Sequence, residues 1–161
     1  MNRLTRYTAA LTLGLGIAAA AHAAPPKLPT QPVLNLAAAQ QVLAAAQAKA
    51  QAGGWPCVIS VVDAAGQPIL LVRMDNAAVP AGVELAPGKA RTAALFRRPS
   101  GALEDAINGS RPAAATARGF VLMRGGLPLT VNGQVVGAIG VSADTPQHDE
   151  EIAQAGVAAL Q

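Results

Sequence analysis

The side chains able to do chemistry are few. His148 stands directly before three consecutive carboxylates, Asp149, Glu150 and Glu151. A lone imidazole at a helix start is either a solvated side chain or a ligand to iron. The three carboxylates either hold a hard cation or, since neighbours on a helix point in different directions, favour the positive end of the helix dipole. Arg73-Met74-Asp75 closes an apolar run, and Lys89 and Arg91-Thr92 follow a loop. One reading of Arg73, Asp75, Lys89 and Arg91 is a solvated rim with a weak surface ion pair. The other is the cationic edge of a pocket that meets carboxylates or propionates, which suits the arginine fork. Cys57 is the only cysteine; it lies in an apolar run and reads as a packed residue rather than a metal ligand or redox thiol. No Ser-His-Asp set can be assigned, and there is no G-x-x-x-x-G-K-[ST] loop. Gly137-Ala138-Ile139-Gly140 sits inside a strand pattern and opens no helix, so it reads as close backbone approach rather than a phosphate cradle.

Residues 1–23 read as a cleaved signal peptide. Arg3 and Arg6 give a positive start, Thr8 to Ala20 an apolar run, and Ala21-His22-Ala23 the small-x-small site. Export would deliver the chain to the periplasm or the medium, with no stable membrane insertion after cleavage. The chain carries twelve Lys and Arg against nine Asp and Glu. Two of the basic residues leave with the leader, so the mature net charge is close to +1. That excludes the concentrated basic face that nucleic-acid binding requires. An exported chain with one thiol has no internal disulfide, so packing and self-association must stabilise it. A homo-oligomer is expected from its small residues and interior-strand glycines.

Residues 24–33 hold Pro25, Pro26, Pro29 and Pro32 and read as an extended arm. Residues 34–161 form the domain. Asn35 caps a helix from Leu36 to about Ala52, with Leu36, Ala39, Val42, Leu43, Ala46 and Ala50 on one face, and Gly53-Gly54 stops it. Cys57 to Asp63 and Pro68 to Met74 pair as a hairpin whose continuous apolar character predicts burial on both faces. A loop then runs to Gly88. Lys89 to Phe96 is a short helix, Ser100 caps another over Gly101 to Ile107, and Ala113 to Arg118 is a turn. Gly119 to Arg124 is read as a strand. Asn132-Gly133 between two apolar runs signals a two-residue hairpin, because a type I′ turn needs positive φ at both positions. Thr145 or Gln147 opens a last helix through Leu160. The class is α+β: a five-stranded, mainly antiparallel sheet with helices on both faces.

Six segments in register resemble the GlcG/HbpS-type haem-binding family, itself similar to the C-terminal domain of PduO-type corrinoid enzymes. They are Val61-Val62-Asp63-Ala64-Ala65-Gly66, Arg73-Met74-Asp75-Asn76-Ala77, Lys89-Ala90-Arg91-Thr92-Ala93, Gly125-Gly126-Leu127-Pro128-Leu129, Gly137-Ala138-Ile139-Gly140-Val141-Ser142 and Asp149-Glu150-Glu151-Ile152-Ala153. The resemblance implies a profilin-like α/β/α sandwich, homo-oligomers and haem or related tetrapyrrole binding. For an exported member it implies handling or sensing of haem iron outside the cytoplasm, without enzymatic turnover. The alternative is a small-carboxylate or corrinoid-binding enzyme accessory. The family usually continues Val-Ser-Gly-Gly where this chain has Val141-Ser142-Ala143-Asp144, and Arg124 stands where a small residue is common. Both changes flank the expected pocket. The ligand-binding candidates are Arg73, Asp75, Lys89, Arg91, Arg124, Gly125 and Gly126, with His148 as the metal ligand.

Overall fold

The computed structural model describes residues 26–161; the predicted signal peptide lies outside them. Residues 26–30 have no regular secondary structure and are exposed. Among the described residues, no helix is long and apolar enough to cross a membrane.

Helix α1 spans Leu36–Gly53, with the Asn35 side chain accepting from the Ala38 N–H and Gly54 ending it at φ 68°. Its buried face is the predicted one, save that Leu36 is exposed. Strands β1 (Val58–Asp63) and β2 (Pro68–Arg73) follow as an antiparallel hairpin. Helix α2 (Gly82–Phe96), helix α3 (Ser100–Asn108) and a 3-10 turn at Pro112–Thr116 make the helical middle. Strands β3 (Gly126–Val131) and β4 (Gln134–Ser142) meet at Asn132 and Gly133, with φ 50° and 76°, as the type I′ signal required. Helix α4 covers Pro146–Ala158 and is capped by Thr145.

The sheet has four strands in the order β2-β1-β4-β3, all antiparallel. The larger core lies on one face, where α1 and α4 pack Val42, Leu43 and Ile152 against Ile59, Val61, Ile139 and Val141. On the other face, α2 packs Ala90, Ala93 and Ala94 on Val62 and Ala138. Helices thus cover both faces, as expected.

Four expectations need correction. The fifth strand, Gly119 to Arg124, does not form. Its donors are taken by side chains instead: the Val121 N–H bonds the Thr92 hydroxyl at 3.1 Å and the Arg124 N–H the Glu104 carboxylate at 2.7 Å. With those groups satisfied, no ladder is needed. Strand β1 is buried from Val58 to Val62, but β2 is only half covered because it is a sheet edge, with Leu71 exposed. Helix α2 begins at Gly82 rather than Lys89 and runs through Pro87. A proline inside a helix costs about 3 kcal/mol, and close packing offsets it. A Cβ on Gly82 would lie 2.8 Å from Val58, and one on Gly140 would collide with the Ala86 carbonyl. The glycines let α2 lie directly on β1 and β4. Finally, Ser100 is not a cap. Its hydroxyl accepts from the Gly126 N–H at 2.9 Å and donates to the Met123 carbonyl, pinning α3 to the start of β3.

Candidate functional site

The N-terminus of α4 carries two side chains of opposite character. Asp149 points inward. Its Oδ2 accepts from the Lys89 ammonium at 2.6 Å, and its Oδ1 accepts from the Ala143 N–H. Lys89 also donates to the Val141 carbonyl at 3.0 Å and is 2% exposed. This side chain belongs to α2, on one face of the sheet, and Asp149 to α4 on the other. The two meet where Gly125 and Gly126 begin β3. A Cβ on Gly125 would lie 2.6 Å from that of Asp149, and one on Gly126 would collide with the Lys89 carbonyl. The glycine pair therefore opens the corridor through which the ion pair joins the layers. Burial pushes the Asp149 carboxyl above its ordinary value, against the hydrogen bonds from Lys89 and Ala143. A shallow cleft of about 170 Å³ lies over the pair. No buried side-chain nitrogen or oxygen among the described residues lacks a hydrogen-bond partner, so this cluster is closed in on itself.

His148 points the other way. Its ring stacks on Trp55 at a centroid separation of 3.9 Å and an angle of 14°. Trp55 is folded back over the end of α1 by Gly53-Gly54: its N–H bonds the Ala50 carbonyl at 2.9 Å, and a Cβ on Gly53 would lie 2.5 Å from its ring. Lys49, also on α1, sits 5.4 Å from the Trp55 ring centroid and bonds Glu151 at 3.0 Å. His148 Nδ1 lies 2.7 Å from Asp144 Oδ1. That hydrogen bond is the main reason the Asp144 carboxyl falls below its usual range. An ionised carboxylate only accepts, so Nδ1 carries the hydrogen in this bond, which leaves Nε2 as the nitrogen open to a ligand. Nε2 has no hydrogen-bond partner among the described residues. A carboxylate behind an imidazole that is fixed in plane is the arrangement that orients metal-ligating histidines.

The predicted ligand-binding set is not assembled in one place. Lys89, Gly125 and Gly126 form the buried crossing just described. Arg124 beside them bonds Glu104, Asp105 and Glu150 and is held above its ordinary value, first by the hydrogen bond to Asp105. Arg91 packs near the β1–β2 turn, 5.8 Å from the Phe120 ring centroid. Arg73 and Asp75 line a shallow hollow with Gln47 and Gln51. A cleft of about 430 Å³ lies between Arg97 and the β3–β4 hairpin and includes none of these candidates. Glu150 and Glu151 each hold a cation on a neighbouring helix or loop. Cys57 is buried against Met74, with its sulfur 3.8 Å from the thioether, and burial pushes its thiol up to about 12.

Sequence reasoning did not single out Trp55, and it paired neither Asp144 with His148 nor Asp149 with Lys89. Two signals were available. The only tryptophan of the chain follows Gly53-Gly54, and Asp144 stands four residues before His148, the spacing of neighbours on a helix face.

Residues 34–158 match the family model described as "Haem degrading protein HbpS-like". Protein GlcG of Escherichia coli strain K12 is 40% identical over 113 residues, which is 70% of this chain and 84% of GlcG. A double mutant of HbpS from Streptomyces reticuli superposes with a TM-score of 0.78 at 31% identity, covering 91% of this chain and 99% of that one. A complex of PduOC with haem superposes with a TM-score of 0.73 at 30% identity, covering 80% and 95%.

Proposed function

The chain belongs to the HbpS-like family, and on that premise we propose that it binds haem and that His148 would hold the iron. The observation that carries this reading is the Asp144–His148–Trp55 arrangement, in which one ring nitrogen is tied to a carboxylate and the other is left free. The fit is chemical. Among the described residues no three His, Cys, Asp or Glu side chains converge into a metal site. Haem needs no such cluster, because the macrocycle supplies four nitrogens and the protein a single imidazole. Asp144 fixes the tautomer and raises the basicity of the ring. Trp55 holds its plane. Bound haem would supply a redox-active iron; the chain supplies binding and orientation.

Two further parts belong to the same reading. One is export to the periplasm or medium, supported by residues 1–23, and self-association, supported by the half-covered edge strand β2. The other is storage, presentation or sensing of haem without turnover, supported by the closed hydrogen bonding of the Lys89–Asp149 pair, which leaves no free acid or base there.

Haemin titration of the mature protein tests the reading. A shifted Soret band at micromolar protein is expected, and His148→Ala should remove it while leaving the far-UV circular dichroism intact. No shift, or the same shift in the variant, overturns the assignment. A Soret band that forms and then decays only with the unsubstituted protein would show degradation and remove the non-enzymatic part. Thermal stabilisation by cobalamin but not by haemin would favour the corrinoid alternative.

A further inference from the structure

A second concavity, of about 260 Å³, lies open to solvent between α3 and the 3-10 turn and shares no residue with the His148 cluster. It stays open because the residues that face each other are small. The 3-10 turn has no buried residue at all, and its body is Ala113-Ala114-Ala115. Opposite, α3 presents Leu103, and Phe96 and Leu122 close the sides. The lining is therefore apolar, apart from Thr116 and two cations, Arg98 and Arg111.

Those two arginines have no ion-pair partner among the described residues. The carboxylates that α3 could offer, Glu104 and Asp105, are both committed to Arg124 on another side of the helix. Both guanidinium groups are exposed to water, and on the rim of an apolar hollow they favour an anion with an apolar body. A forked cation recognises a planar carboxylate by paired hydrogen bonds. The volume lies just under the roughly 300 Å³ at which drug-sized pockets begin, so the ligand is small.

We propose that this cavity binds a small amphipathic monocarboxylate, an aliphatic or aromatic acid, with its carboxylate between Arg98 and Arg111 and its body over Leu103, Phe96 and Leu122. The site is independent of His148 and does not rest on the haem reading. A ligand there would join α3, the 3-10 turn and the end of α2.

Calorimetric titration of the full chain with benzoate and hexanoate tests it, with benzyl alcohol and hexylamine as uncharged and cationic controls. The acids are expected to bind and the controls not to. Arg98→Gln with Arg111→Gln should weaken the acids about tenfold or more, since charge-assisted hydrogen bonds are lost. Ala114→Leu, which fills the cavity from the turn, should abolish binding. The thermal midpoint of each variant reports whether the fold is kept, and its haemin titration reports the other site separately. Equal binding of acid and alcohol, or acid binding unchanged in both variants, overturns the proposal. So does an absence of acid binding, whether or not light scattering shows that a second copy covers this face.

Discussion

His148 and Asp149 are adjacent in the first turn of α4, and the fold treats them in opposite ways. Asp149 is sealed between two layers, with a buried ammonium on one oxygen and a backbone N–H on the other. His148 is a quarter exposed, stacked on one ring and tied to one carboxylate, with a nitrogen left over. The rotation of about 100° per residue along a helix separates them. The difference teaches where chemistry is available. A fully satisfied polar group fixes structure, and a partly satisfied one at the surface is free to take a ligand. Lys89, one of the four charged residues read in sequence as a pocket rim, is on the structural side of that division.

The contrast is broken most easily at Asp149. Asp149→Ala leaves the Lys89 ammonium buried with only the Val141 carbonyl, and removing one partner of a buried pair costs about 3–5 kcal/mol. Urea unfolding should show a large fall in midpoint. A midpoint unchanged from the parent would mean that the pair is not a clamp. Next in size is Gly126→Ala. The new methyl would meet the Lys89 carbonyl and the Ser100 hydroxyl, the latter at 2.7 Å, and overpacking of this kind costs about 1–3 kcal/mol. His148→Ala sharpens the other side: the stability change should stay within about 1.5 kcal/mol, the worth of one stacked ring pair, with the haem signal lost. A comparable stability loss at His148 and Asp149 would erase the distinction.

The parts of this molecule that depend on local signals were legible in its sequence. Asn35, Gly54 and the Asn132-Gly133 turn set their elements directly, because a cap or a positive φ is a property of one or two residues. What was not legible depends on partners distant in the chain. Pro87 marks a helix boundary on local grounds, and only Gly82, brought against β1, and Gly140, brought against α2, explain why the helix continues. Val121 and Arg124 look like strand residues until Thr92 and Glu104 take their N–H groups. The site divides in the same way. His148 was visible as a candidate, but Trp55 is 93 residues away along the chain, and its position rests on α1 packing beside α4. Lys89, Gly125 and Gly126 were visible as a group, while their joint purpose appears only when α2 and α4 are known to lie on opposite faces of one sheet.

The smallest expected effect tests the outward half of the pair through pH. The His148 hydrogen bond lowers the Asp144 carboxyl in the folded protein, so the unfolded chain binds its proton more readily. Stability from this contact is therefore complete above the ordinary carboxylate value of about 3.9 and is lost as pH falls through the depressed folded value. Asp144 is 45% exposed, so solvent screening limits the contribution to less than about 1 kcal/mol. Urea midpoints of the parent and Asp144→Ala should differ slightly at pH 6 and converge toward pH 3. The same substitution frees Nδ1 from its acceptor and lets the imidazole choose either tautomer. Haem affinity should then fall by more than stability does, since the ring is no longer held with Nε2 unprotonated. A variant that keeps full haem affinity while losing the pH dependence would leave Asp144 as a local contact and remove its part in orienting His148.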